Sequence, residues 1–123
     1  MCAAHKDRAH LALGVEIGGT KLQVGLGNAD GELLLLHTGR VPEGADAKGI
    51  RAWLRKGIDA VLAEAESKGY ARPARLGVGF GGPVDATRGL TLISHQVAGW
   101  DRYPLRAWLE SASPGMQVVI END

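Results

Sequence analysis

Two clusters of glycine constrain how this chain can fold, because each begins inside or directly after an apolar segment. Six glycines lie between Gly14 and Gly31, and five lie between Gly77 and Gly89. Glycine has no Cβ, so a ligand can approach its backbone closely. In open α/β sheets ligands bind beyond the carboxyl ends of the strands. The clusters therefore predict ligand-binding loops at the edge of a sheet.

The composition excludes a fibrous or disordered chain as the source of this glycine content. Only 5 prolines accompany the 18 glycines, without a three-residue period, which excludes a collagen-like chain. Hydrophobic residues make up 45% of the 123 residues, which favours one folded domain over a disordered chain. The 14 basic and 14 acidic residues cancel, so charge gives no reason to expect nucleic acid or a membrane as a partner.

The N-terminal residues carry no recognisable targeting signal or metal site. The apolar run from Leu11 to Ile17 is short and contains Glu16, unlike a signal peptide or a membrane span. With a single cysteine, Cys2, the chain cannot form an internal disulfide, and we expect a cytoplasmic protein. Residues 1–10 are predicted to be a flexible tail. Its possible metal ligands, Cys2, His5 and His10, lack the usual spacing of a metal site.

Hydrophobic periodicity predicts three strands joined by tight turns. Leu11–Ile17 is nearly continuous apolar sequence, as expected for a strand buried on both faces. Lys21–Gly27 alternates with period two, and Glu32–Thr38 forms the third strand. The turn before this third strand contains Asp30-Gly31, where the glycine can supply a positive φ.

A helix follows, with an apolar stripe from Ile50 to Ala65, Asp46 as N-cap and Gly69 as C-terminal stop. The remaining predicted elements are a strand, a hairpin, a short helix with Pro104 at its first position, and a final strand: Arg75–Phe80, Val84–Ser94, the helix carrying Leu105 and Leu109, and Met116–Ile120. The order β-β-β-α-β-α-β predicts an α/β fold with a mixed sheet and flanking helices.

Two familiar phosphate-binding motifs do not fit. A P-loop requires Lys-Ser or Lys-Thr entering a helix, whereas Gly18-Gly19-Thr20-Lys21 leads into a strand. The second cluster contains Gly-x-Gly-x-x-Gly from Gly77 to Gly82, but the residues after Pro83 show no helical stripe. A dinucleotide site needs a helix to begin there, so this match is weak.

The segment from Glu16 to Lys21 can still serve a phosphate. A glycine turn can aim backbone N–H groups and the Thr20 hydroxyl at a phosphate, while Lys21 adds positive charge. Glu16 could hold Mg²⁺ through water. On this motif alone, a plain Gly-Gly hairpin with an incidental carboxylate is an equal alternative. The segment resembles the first phosphate motif of the actin-like ATPase and sugar-kinase superfamily, although Glu16 stands where that motif usually has Asp.

Three further segments resemble the repressor/open-reading-frame/kinase (ROK) family. These are Leu76–Asp85 with its Gly-Pro-Val-Asp ending, Gly99-Trp100 followed by Pro104-Leu105, and Val118–Asp123 with its Asn-Asp pair. The resemblance implies that residues 11–123 form an N-terminal actin-like ATPase (ribonuclease H-like) domain. It also implies ATP and Mg²⁺ as cofactors and a hexose or aminohexose as substrate. The family's second domain and zinc site have no counterpart in this sequence.

The resemblance also implies roles for single residues. Asp123 would be the general base that deprotonates the sugar hydroxyl. Asn122, Gly81 and Gly82 would bind the sugar. Where many members have Pro-Asn before the Gly-Trp stretch, this chain has His95-Gln96. Gln96 is either a sugar contact in place of that Asn or a packed polar residue of the loop. The phosphate and ATP contacts would be Glu16, Gly18, Gly19, Thr20 and Lys21, with Glu16 also the magnesium residue.

The resemblance leaves alternatives of other classes. We expect a glucokinase-like kinase that is homodimeric at full length, with residues 1–123 alone inactive because half of the ATP cleft is missing. Some family members are transcriptional regulators with a DNA-binding segment before the first strand, and only ten residues precede Leu11. A non-catalytic sugar-binding or assembly module is the third possibility.

Overall fold

A computed structural model describes residues 10–123. The predicted tail over residues 1–10, with Cys2 and His5, lies outside them except for His10. Seven strands and two helices follow along the chain: β1 Leu11–Ile17, β2 Lys21–Asn28, β3 Leu33–Arg40, α1 Ala47–Ser67, β4 Arg75–Phe80, β5 Val84–Asp85, β6 Leu90–Thr91, α2 Leu105–Ala112 and β7 Gln117–Asn122. Across residues 10–123, neither helix has the length and apolar character needed to cross a membrane.

The main sheet has five strands in the order β3-β2-β1-β4-β7. β1, β2 and β3 pair antiparallel, whereas β1, β4 and β7 pair parallel. The strands β5 and β6 form a separate hairpin within Val84–Ser94, where the sequence predicts one. The predicted α/β fold with a mixed sheet is therefore confirmed.

Parallel pairing brings the carboxyl ends of β1, β4 and β7 to one edge of the sheet. In the register, Ile17 lies opposite Phe80, and Phe80 lies opposite Asn122. The contact between β1 and β4 continues past the strands, since Gly81 N donates to Ile17 O at 2.8 Å. This edge thus holds the Gly18-Gly19 pair of the first cluster, the Gly81-Gly82 pair of the second cluster and the Asn122-Asp123 pair.

The long helix begins and ends where the sequence predicts. Asp46 is the N-cap, and its Oδ1 accepts a hydrogen bond from Gly49 N at 3.0 Å. The cap residue at the other end is Lys68, and Gly69 follows with a φ of +82°, a conformation that glycine adopts without a steric penalty. Gly31 has the same φ in the β2–β3 turn, as predicted.

A glycine inside α1 allows the helix to lie close to the sheet. Gly57 is buried, and a Cβ added there would be 3.3 Å from Val24 of β2 and 3.5 Å from Trp53. A glycine costs about 1 kcal/mol in a helix relative to alanine. The close contact of α1 with β2 offsets this cost, because apolar residues on both elements become buried: Leu22, Val24, Leu26, Ile50, Leu54, Ile58 and Val61.

The prediction that β1 is buried on both faces is wrong for the described residues. Leu11, Leu13, Val15 and Ile17 are buried, whereas the alternate residues are exposed or half-buried. The buried residues form one core with both helices. Small or polar residues occupy the other face of the central strands: Ala12, Gly14, Glu16, Gly25, Gly27, Gly77 and Gly79. The continuous apolar appearance of β1 arises because alanine and glycine occupy its uncovered positions.

Three predicted boundaries also differ from the structure. The third strand is displaced toward its carboxyl end, and β7 begins and ends later than Met116–Ile120. Met116 is nevertheless buried. Pro104 is the N-cap of α2 rather than its first helical residue. Strand ends follow the pairing partner, and Arg40 is in β3 because it pairs with Lys21.

The Asp46 cap can be tested by mutation. We expect Asp46→Ala to lower the free energy of unfolding by about 1 kcal/mol, because Gly49 N loses its acceptor at the start of α1. Urea unfolding measures the change. Asp59→Ala, at an exposed position of the same helix, is the matched control and should lie within about 0.5 kcal/mol of the parent protein. Equal losses in the two variants would contradict the capping role.

Candidate active site

Two carboxylates converge at the carboxyl ends of β1 and β7. A Cβ added at Gly79 would lie 2.9 Å from Glu16 Oε2 and 3.5 Å from Asp123 Oδ1. Glu16 is half-buried and Asp123 is exposed. Two negative groups so close repel each other unless a cation lies between or beside them. Carboxylate oxygens are the ligands that Mg²⁺ prefers, so the pair suits a hydrated Mg²⁺.

The carboxylates lie at one end of an open concavity on the uncovered face of the sheet. Its volume is about 690 Å³. Glu16, Gly79, Glu121 and Asp123 line this end, together with Gln23, which pairs with Glu16 across β1 and β2. Because residue 79 has no side chain, the carboxylates of Glu16 and Asp123 can both approach this position. Gly79 was not among the predicted site residues, although the alternation of Gly77 and Gly79 in a strand is the signal for it.

The side chains of Asn122 and Asp123 lie on opposite sides of the sheet. Asp123 lies with Glu16, whereas the side-chain amide of Asn122 donates to the carbonyl of Gly82. The end of β7 is tied to β4 by a hydrogen bond from Asp123 N to Phe80 O at 2.8 Å. The structure thus brings together Asn122 and Gly82, two of the residues predicted to bind the sugar.

The predicted phosphate turn is a closed hairpin between β1 and β2. Gly18 N donates to Lys21 O at 3.0 Å, and Val41 N donates to Thr20 O at 2.9 Å. The side chains of Thr20 and Lys21 are exposed. Gly81 lies against this turn, since a Cβ there would be 3.1 Å from Ile17 O. The turn therefore has a fixed backbone with an exposed hydroxyl and an exposed ammonium group.

Gln96 lies against the phosphate turn. Its Oε1 occupies the place that a Cβ at residue 19 would take, and its Nε2 is 3.1 Å from that point. The residue is exposed overall. The sugar contact of Gln96 stays a prediction.

An aromatic cluster holds the loop that carries Gln96, and sequence analysis did not identify its cationic member. Trp100 is buried and packs edge-on against Phe80 and Tyr103, with ring centroids 5.3 and 5.6 Å away. The guanidinium carbon of Arg51 lies 4.0 Å from the Tyr103 ring centroid. Arg51 Nη1 is buried without a hydrogen-bond partner among the described residues, so its contact with the rings is cation–π. Arg51 lies in α1, and no sequence pattern there distinguishes it from other surface arginines.

The described part of the chain contains no cluster of three or more His, Cys, Asp or Glu side chains able to hold a metal ion. Of the three carboxylates that line this end of the concavity, those of Glu16 and Asp123 lie nearest to Gly79. Proteins commonly bind Mg²⁺ with one or two carboxylates and let substrate phosphates and water supply the other ligands. The Glu16 and Asp123 carboxylates therefore fit a hydrated Mg²⁺.

The comparisons with known proteins agree with this architecture. A mixed sheet with ligand loops at the carboxyl ends of β1, β4 and β7 is the fold of the actin-like ATPases, and the solved structures that match include sugar kinases of that class. The model of the ROK family matches residues 12–123. The chain belongs to the ROK family.

Two kinases and one regulator illustrate the range of relatives. The chain is 30% identical to the Streptomyces coelicolor glucokinase over 114 residues, which cover 92% of this chain and 32% of that protein. A ROK glucokinase from Streptomyces griseus, solved with glucose and AMPPNP, is 33% identical with a TM-score of 0.71, covering 91% of this chain and 33% of that one. A ROK transcriptional regulator, a homologue of the E. coli MLC protein, is 19% identical with a TM-score of 0.80, covering 92% and 28%.

The last similarity shows the fold alone, so architecture does not separate kinases from regulators. The chain spans about a third of the length of the curated relatives that it matches.

The role of Gly79 can be tested without assuming an activity. We expect Gly79→Ala to move the side-chain carboxyl ¹³C resonances of Glu16 and Asp123, because the new methyl group would lie 2.9 Å from Glu16 Oε2. Gly77→Ala is the control, since a Cβ at that position has nothing within 4 Å. If the two variants move these resonances equally, the carboxylates do not converge on Gly79.

Proposed function

We propose that the protein is an ATP-dependent sugar kinase that phosphorylates a hydroxyl of a hexose, with glucose as the leading candidate. The convergence of Glu16 and Asp123 on Gly79 carries the proposal, because it joins a metal-binding carboxylate and a candidate base at one strand edge. The 30–33% identity to two glucokinases supports glucose over other sugars. The expectation that residues 1–123 alone lack turnover stays a prediction.

In this proposal Asp123 accepts the proton of the sugar hydroxyl as its oxygen attacks the γ-phosphorus. A new O–P bond forms while the bond between the γ-phosphorus and its bridging oxygen breaks, and ADP leaves. Asp123 is suited to this step because it is exposed at the strand end and its backbone is fixed by the hydrogen bond to Phe80 O. Phosphoryl transfer mainly requires an oriented nucleophile and neutralisation of charge.

Other residues of the site divide the binding between them. Asn122 and the Gly81–Gly82 turn would hold sugar hydroxyls at the strand end, where the Asn122 amide contacts the Gly82 carbonyl. Gly18, Gly19, Thr20 and Lys21 would contact the donor phosphates through backbone N–H groups, a hydroxyl and an ammonium group. When bound, Mg²⁺ would neutralise phosphate charge, and Glu16 would hold its water ligands.

A ROK transcriptional regulator is the alternative function. A transcriptional regulator has the same fold, so the fold is compatible with this alternative. A regulator needs sugar binding but no proton transfer, so turnover by the protein decides between the two functions.

The base assignment predicts a specific kinetic defect. In the protein expressed from its complete reading frame, Asp123→Asn should lower kcat by about 100-fold to 10,000-fold, because the sugar hydroxyl loses its proton acceptor. Sugar affinity measured by calorimetry should stay within about threefold of the parent value. Asp30→Asn is the control, at the opposite end of β2. Turnover that survives Asp123→Asn would exclude this residue as the base.

The magnesium assignment predicts a change in metal dependence. Glu16→Gln keeps the size of the side chain but removes its charge, so the Mg²⁺ concentration for half-maximal activity should rise about 10-fold to 100-fold. Activity is measured against free Mg²⁺ at saturating sugar. Glu110→Gln, on an exposed position of α2, should leave the curve unchanged. An unchanged curve for Glu16→Gln would remove Glu16 from the metal site.

A further inference from the structure

Gln96 connects two loops that are far apart in the sequence. It lies in the loop between β6 and α2, and its amide packs onto Gly19 in the turn between β1 and β2. The three atoms nearest to a Cβ at residue 19 are all from the Gln96 side chain. Residue 19 must therefore lack a side chain for this amide to lie where it does.

The backbone around Gln96 is held in place on its own side. Ser94 Oγ accepts hydrogen bonds from Gln96 N at 3.3 Å and from Val97 N at 3.1 Å. Val97 is buried, and the next carbonyl, that of Ala98, accepts from Ala47 N in α1 at 2.8 Å. The Gln96 side chain is thus presented to the turn by a loop anchored to the core and to α1.

The space between Gln96 and the turn is too small for a sugar. Gly18, Gly19, Gly81 and Gln96 line a cavity of about 10 Å³. That volume is at the lower limit for a single water molecule. A hexose therefore cannot lie between the Gln96 amide and the turn, and the contact of Gln96 here is with protein backbone.

We propose that Gln96 is a positioning residue for the donor phosphates: it fixes the Gly18–Gly19 turn and does not select the sugar. The inference rests on the proposed kinase function, in which this turn contacts the phosphates of ATP. Gln96 contacts the turn at Gly19, and a Cβ added at Gly81 would lie 3.4 Å from Gly18 Cα. A neutral amide suits this place, because a carboxylate would repel the phosphates.

The test uses the protein expressed from its complete reading frame, with KM measured separately for ATP and for glucose. Gln96→Ala should raise the KM for ATP about threefold to tenfold, because the Gly18–Gly19 turn loses the side chain that packs onto it. Gln96→Glu should raise it further because of its charge. The KM for glucose and the thermal midpoint should stay unchanged. His95→Ala, the exposed neighbouring residue, is the matched control and should behave as the parent protein.

A double-mutant cycle adds a readout that a general loss of stability would not produce. Gly19→Ala alone should raise the KM for ATP, because its methyl group occupies the place of Gln96 Oε1. In the Gln96→Ala background the same substitution should have a smaller effect, since the space is then free. Additive effects would overturn the proposal.

Two kinetic results would also overturn it. One is a raised KM for glucose with an unchanged KM for ATP in Gln96→Ala, which would make Gln96 a sugar contact. The other is no change in either constant. If the parent protein shows no turnover, the proposed function fails, and hydrogen exchange of residues 17–21 tests Gln96 independently. Faster exchange in Gln96→Ala than in His95→Ala supports the inference, and equal rates overturn it.

Discussion

The parallel register of β1, β4 and β7 is the constraint on which the candidate site depends. Because Ile17, Phe80 and Asn122 lie side by side, the residues that follow each strand share one edge of the sheet. The hydrogen bond from Gly81 N to Ile17 O extends this alignment past the strands. A Cβ at residue 81 would be 3.1 Å from the same carbonyl, so a larger residue would strain the contact. Close approach of backbones, more than any single polar contact, holds the site together.

Local patterns predicted the elements that depend on neighbouring residues. The Asp46 cap, the Gly69 stop and the bounds of β4 follow from hydrogen bonding and side-chain periodicity within a few residues, and the structure confirms them. The burial of β1 depends on what covers each face of the sheet. The sequence of the strand itself carries no information about that covering. Alanine and glycine in the alternate positions looked apolar, although the residues between them carry the core.

The site was predictable in its residue types but not in its pairings. Glu16 and Asp123 could be singled out from motifs, yet their meeting at Gly79 required the register of three strands. The position of Gln96 on Gly19 depends on how the loop after β6 packs against α1, and no short-range pattern describes that packing. The same holds for Arg51, whose contact with Tyr103 forms only when α1 and the loop meet.

Asn122 and Asp123 contact opposite sides of the sheet because consecutive residues of a strand alternate. The end of β7 therefore presents an amide on one side of the sheet and a carboxylate on the other, and these two sides form separate compartments. A shift of β7 by one residue would exchange the two groups and leave neither compartment with its proper side chain. The short connection from Ser113 to Met116, closed by a hydrogen bond from Met116 N to Ser113 O, sets where β7 begins. The length of this turn, remote from the strand edge, thus determines which side of the sheet receives the carboxylate.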